Sequence, residues 1–187
     1  MARGARALAH RAPLWRLYGH FLGTAPGQAF LDRGKFIGAG AARLVVPTVE
    51  TDTPWTPFAV PLNETRVALI STGGFYLPPA PPFDVDAPLG DATFRVIPSD
   101  VALSDLRIAH THYGHQRAER DRNVVFPLDR LRELAADGVI GGVGPRAYSF
   151  GFTVHTAELV DPLVGSAHEL AGCLAEDGVQ AVLFAPA

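Results

Sequence analysis

The segment Arg107–Val143 reads RIAHTHYGHQRAERDRNVVFPLDRLRELAADGVIGGV. It divides into pieces of different physical character. Arg107–His112 reads as a strand running into a loop. Pro127 is placed to open a helix, because a proline in the first turn costs no intrahelical hydrogen bond. Leu128, Leu131 and Leu134 then share one face, Ala135 lies beside them, and Gly138 sits where a helix closes in the left-handed conformation. Val139–Val143 is the next strand. Strand, helix, strand at this spacing predicts right-handed parallel crossovers in an α/β sheet. Between strand and helix lie His110, His112 and His115, then Arg117, Arg120 and Arg122, with Glu119 and Asp121 among them. Such density on a connecting segment is costly unless the groups are solvated or used, and loops between rigid elements are where proteins place chemistry.

Upstream, Arg66–Ser71 is near-continuously apolar and reads as a buried strand, ended by Gly73-Gly74. Pro78, Pro79, Pro81 and Pro82 forbid a helix directly after that turn, and neither a GxGxxG nor a P-loop pattern is present. Nucleotide binding is therefore not expected. A carboxylate held by the backbone N–H groups of Gly73 and Gly74 is a candidate. Thr93–Ile97 is a short strand stopped by Pro98, and Leu103–Leu106 one helical turn. Downstream, Tyr148–Val154 is extended. Asp161-Pro162 reads as a helix start. That helix runs to Asp177 with Leu163, Ala167, Leu170 and Leu174 toward the core, and Gly178 ends it before a last buried strand, Val179–Phe184. The expectation is one α/β domain over 50–187, a mostly parallel sheet with flanking helices of Rossmann-like or flavodoxin-like form. Residues 1–49 are a poorly defined extension, with 1–12 disordered, Pro13–Leu22 a short amphipathic helix, and Val45–Pro61 an extended wrap.

At 187 residues and 48% hydrophobic, the chain is long enough for one sizeable core. A net charge of −3 argues against a nucleic-acid or anionic-membrane partner. The single cysteine, Cys173, excludes an intramolecular disulfide and an all-cysteine zinc site, which fits a reducing cytoplasm. It falls within an apolar helix face, where a thiol is inert. No apolar run reaches the ~18 residues of a membrane span. No acid precedes Asp32 and Arg3, Arg6, Arg11 and Arg16 do, but the stretch lacks serine and has no signal-peptide core.

The histidines carry the chemistry. Two imidazoles two residues apart on an extended chain point the same way, and a third from the following turn can close on them. His110, His112 and His115 are thus candidate catalytic groups and candidate ligands for Zn²⁺ or Fe²⁺. Neutral imidazoles near pH 7 also suit proton delivery to a departing amine. Arg117, Arg120 and Arg122 are candidate carboxylate clamps, or a solvated face paired with Glu119 and Asp121. Asp121 and Asn123 order the loop, and Asp129 sits in the first helical turn, where the helix dipole favours it.

The same stretch, with its HTHY and D-x-N-V-V-F-P-L-D-R-L-x-E-L-x-x-x-G-V-I-G runs, resembles the selenoprotein B (substrate-activating) family of glycine, sarcosine, betaine and D-proline reductases. Thr53–Pro57, Arg66–Gly74, Pro81–Asp84, Tyr148–Phe150 and Glu176–Leu183 fit the resemblance in order and spacing, over about residues 50–187. Gly114 departs from it, standing where Asp is common. The resemblance implies a reductase that cleaves a C–N bond, with a selenolate or thiolate taking the carbon fragment. It implies partner subunits, a selenoprotein A-like or thiol carrier protein among them. It also implies a substrate site built from the Gly73-Gly74 turn, the histidine loop and Tyr148; Arg117 and Asn123 are further substrate-binding candidates. In such proteins a cysteine or selenocysteine follows the last strand and its proline, so one is expected just after Ala187. A chain truncated at a selenocysteine codon is the corresponding expectation. No other cofactor is evident. A metal-dependent hydrolase or lyase and a non-catalytic binding subunit are the alternatives.

Overall fold

The computed structural model describes residues 57–87, 89–153 and 157–187, with single positions between Leu17 and Ala29. Most expectations for 1–49 and for 50–56 lie outside the described residues, although Leu17 and Phe21 are helical and exposed.

The centre is β1, Arg66–Ser71, as its unbroken apolar run requires. Strand β2 is Phe75–Tyr76, β3 Phe94–Pro98, β4 Arg107–Ile108, β5 Gly142–Val143, β6 Arg146–Phe150 and β7 Ala181–Ala185. Helix α1 spans Gln116–Arg120, α2 Leu128–Ala136 and α3 Ala157–Glu176. Val67 is in register with both Val143 and Ala181, and Ile70 with both Tyr148 and Phe184. A residue has one neighbour on each side, so β7 follows one edge of β1 while β5 and β6 follow each other along the other. Gly144-Pro145 breaks that second strand in two. All three pair parallel to β1; β3 closes the far side antiparallel to β6. The α/β class thus holds, with a mostly parallel sheet. A separate two-stranded ribbon pairs β2 with β4.

Alternate residues of β1 feed two layers. Val67 and Leu69 join Leu128 and Leu131 of α2, with Phe75, Ile97, Leu106 and Phe126, in the larger core. Ile70 and Tyr148 face α3 through Leu170, with Cys173 and Leu174 packed against them. Leu134, expected on the core face of α2, lies in its last turn and is exposed, while Ile140, just past Gly138, is buried in the core. Gly138 and Gly178 end α2 and α3 at φ +71° and +63°, the left-handed conformation expected of them. Helix α3 starts before its Asp-Pro pair, with Pro162 inside it. Among the described residues no helix is long and apolar enough to cross a membrane.

Candidate functional site

β1, β6 and β7 run parallel and stop at the same end of the sheet, where the last residues of each open onto one cavity of about 530 Å³. In open α/β sheets this is where ligands bind. Thr72 enters it from β1, Phe150, Gly151, Phe152 and Thr153 from β6, and Phe184 and Ala187 from β7. Leu163, Ala167 and Leu170 of α3 form one wall; His110 and His112 form the other.

The Gly73-Gly74 turn places the histidines. Gly73 N–H donates to Ser71 Oγ (3.0 Å), whose hydroxyl donates to the Val125 carbonyl (2.8 Å). Gly74 N–H donates to the Phe150 carbonyl (2.9 Å), and the Gly74 carbonyl accepts from Ala109 N–H (2.8 Å). Gly74 has φ +69°, and a Cβ there would stand 2.6 Å from the Ala109 oxygen and 2.7 Å from His110 Cβ. The histidine strand is close because residue 74 has no side chain. Tyr113 Oη reaches across to donate to the Gly73 carbonyl (2.9 Å). Both glycine N–H groups, the expected carboxylate donors, are hydrogen-bonded within the protein.

His110 is buried, and its Nδ1 accepts the His112 N–H (3.1 Å), which puts the ring proton on Nε2. Burial, then repulsion from His112 and His115, depresses its pKa to about 3, so it is neutral at pH 7. The His112 ring stacks on Phe152, centroids 3.4 Å apart and planes at 11°, with Nδ1 2.9 Å from Thr111 Oγ1. His115 does not line the cavity. Its pKa is lowered by burial, and its Nε2 has no hydrogen-bond partner among the described residues.

The three imidazoles do not converge on one point. The chain turns at Thr111 rather than staying extended, leaving ring centroids 6.3 Å (His110 to His112) and 6.5 Å (His110 to His115) apart at steep angles. Among the described residues no group of three or more His, Cys, Asp or Glu is arranged to hold a metal ion. His110 Nδ1, one of the atoms a zinc or iron ion would need, accepts the amide of the turn it closes.

The other expected binding residues sit elsewhere. Arg117 is exposed on α1, outside the cavity. Asn123 organises the start of α2, donating to Asp121 Oδ1 and Asp129 Oδ2 while its own oxygen accepts Asp129 N–H. Tyr148 is buried beneath α3 with its hydroxyl 3.4 Å from Asp177, and burial pushes its pKa up to about 12. Thr72, Phe152 and Phe184 are residues that pattern reading passed over. The signal for them was position alone: each stands at the carboxyl end of a parallel strand.

Fold and site together define a class: a parallel α/β protein with a histidine-walled, mostly apolar cavity at its carboxyl strand ends. Comparison with known proteins makes the class particular. Residues 41–187 match the family described as glycine/sarcosine/betaine reductase selenoprotein B, and the chain belongs to that family. It is 33% identical over 130 residues to D-proline reductase subunit gamma of Acetoanaerobium sticklandii, covering 70% of this chain and 52% of that protein. It is 29% identical over 136 residues to sarcosine reductase complex component B subunit beta of Peptoclostridium acidaminophilum, covering 70% of this chain and 30% of that one. The chain thus spans about half the length of the first and less than a third of the second. No solved structure gives a significant match.

Proposed function

We propose that this chain is a subunit of a reductase complex that reductively cleaves the C–N bond of an amino-acid-type substrate, and that the bond to be broken is held in the cavity at the ends of β1, β6 and β7. One observation carries the reading. The Gly73-Gly74 turn and β4 bring His110 and His112 to the cavity that the end of β7 enters. A selenol or thiol beside that strand end is what the family resemblance leads us to expect. Such a group, ionised near pH 7, supplies the nucleophile that takes the carbon as the amine leaves.

The residues of this chain do the rest. His110 stays neutral and fixes the turn by accepting the His112 amide. His112, held flat on Phe152, is the group placed to give the departing amine its proton. Thr72 and the Phe150–Thr153 segment set the depth of the cavity. Partner subunits are expected because the relatives are a reductase subunit and a reductase complex component. A selenoprotein A-like or thiol carrier protein is the partner expected here, and a reducing cytoplasm the setting.

The test is amine release by selenium-supplemented protein reconstituted with such a partner and a dithiol, offered glycine, sarcosine, betaine and D-proline in turn. Turnover is expected with one of them, and His112→Ala should lower kcat by about 10²–10⁴, the usual contribution of a positioned acid. A complex that assembles but turns over no C–N substrate would make this a non-catalytic binding subunit.

A further inference from the structure

Two side chains in the cavity wall each accept a hydrogen bond from a backbone amide. Thr72 Oγ1 accepts from Ala187 N–H (2.9 Å), and His110 Nδ1 accepts from His112 N–H (3.1 Å). These bonds set what each group has left to offer. A hydroxyl that accepts keeps its own proton to give, and a neutral imidazole that accepts at one nitrogen carries its proton on the other. His110 is left with a donor alone, Nε2–H; Thr72 is left with a donor and one lone pair. Thr72 lines the cavity from the end of β1, and His110 from the histidine wall. Both donors persist through neutral pH, because the hydroxyl does not titrate there and burial resists the imidazolium form of His110.

Two donors on one cavity suit a carboxylate, which has two oxygens to accept them. Hydrogen bonds from neutral donors to an ionised acceptor are charge-assisted and stronger than those to a neutral carbonyl. The carboxylate of an amino acid also brings its counter-charge with it in the amine, so the molecule enters without net charge. The Gly73-Gly74 turn, the other candidate for that carboxylate, has both its N–H groups engaged within the protein. The His112 ring lies in the same wall, its centroid 6.3 Å from that of His110, near enough for one amino acid to meet both.

We infer that Thr72 Oγ1–H and His110 Nε2–H together receive the substrate's carboxylate, which turns its amine toward His112. The inference rests on the reading that this cavity is the substrate site, but it is tested by binding and needs no turnover. The probes are pairs that differ by the carboxylate: glycine and methylamine, sarcosine and dimethylamine, betaine and tetramethylammonium, D-proline and pyrrolidine. In calorimetric titration of the intact chain, one of the amino acids binds saturably and shifts the Nε2 NMR signal of His110. Its carboxylate-free counterpart binds at least about tenfold more weakly, the loss expected when hydrogen bonds to a charged group are not made, and leaves that signal in place. His110→Asn keeps an acceptor for the His112 amide but puts no donor where Nε2 stood, and it weakens amino-acid binding about ten- to a hundredfold. Thr72→Val weakens it at least about tenfold, and Thr72→Ser restores it. In His110→Asn and Thr72→Val the preference for the amino acid over its counterpart shrinks, which a general loosening of the fold would not produce. Circular dichroism checks that the variants are folded, and the paired ligands test the wild type without any variant.

Equal affinity within every pair, with the His110 signal moved by both members, overturns the inference and leaves the cavity as the substrate site. Amino-acid binding that moves no signal of His110 or His112 removes the cavity from that role and the inference with it. Silence from every ligand also overturns it. Carboxylate-dependent binding at His110 with no C–N cleavage in the reconstituted complex leaves the inference standing and removes the reductase reading.

Discussion

His110 shows how one residue carries both packing and chemistry. Gly74 lets it come close, the turn at Thr111 gives its Nδ1 a donor, and burial holds it neutral. The consequence for stability has a definite sign. Its folded pKa, about 3, lies below the unfolded value of 6.5, so between these pH values the unfolded chain binds a proton that the native chain refuses. The stabilisation is fully present above pH 6.5 and is lost as the pH falls toward 3. His115, also lowered by burial, adds to the same slope. In His110→Asn the amide oxygen replaces the lost acceptor but does not titrate. Urea melts at pH 7 and about pH 4 should show wild type losing a few kcal/mol more than the variant between the two, on the order set by a shift of several pKa units. Equal losses would mean that His110 is protonated in the native state. The sequence announced the histidines by their density alone. It did not announce that they fail to converge, because the spacing argument assumes an extended chain and His110–Tyr113 turns. Arg117 and Asn123 were drawn into the expected site by nearness in sequence, yet α1 carries Arg117 outward and the start of α2 claims Asn123.

At the scale of elements, α2 is fixed by Arg132. Its Nε and Nη2 donate to the Ser99 carbonyl (2.9 and 2.7 Å), Nη2 also to the Val101 carbonyl (2.6 Å), and Nη1 pairs with Asp129 (2.6 Å). One planar fork thus ties the helix to the turn after β3. A lysine keeps the charge but cannot reach these acceptors together. Arg132→Lys should cost about 1–3 kcal/mol, the usual effect of leaving such acceptors unmade. The check is a lower urea midpoint with an unchanged m-value; an unchanged midpoint would show the fork to be dispensable. None of this was legible beforehand, since Arg132 looks like any helical surface cation until Ser99 is folded against it. What was legible in α2 was its period and its ending: Leu128 and Leu131 are buried and Gly138 closes the helix. Helix α3 was less so. The Asp161-Pro162 pair matches a helix start locally, but the helix begins at Ala157 and carries the proline within it.

Across the whole molecule, the order of strands ranks their stability. β1 has neighbours along both edges and helices over both faces, and Ala68 and Leu69 are fully buried. Among the described residues β7 pairs with β1 alone, and Val182, Leu183 and Phe184 remain 41%, 40% and 56% exposed. Both strands read as buried apolar runs in the sequence. Composition cannot tell a central strand from an edge strand, because that depends on which neighbours arrive. Local openings are governed by such burial, with free energies spread from near zero up to that of global unfolding. Native-state hydrogen exchange should therefore find the amides of Val67–Ile70 exchanging only through global unfolding. The outward amides of Val182 and Phe184, or of Leu183, should exchange through smaller openings and more than about tenfold faster, tenfold being only 1.4 kcal/mol of opening free energy. Uniform protection along β7 equal to that of β1 would mean that its free edge is covered in solution, and the sheet order described here would no longer predict where the fold gives way first.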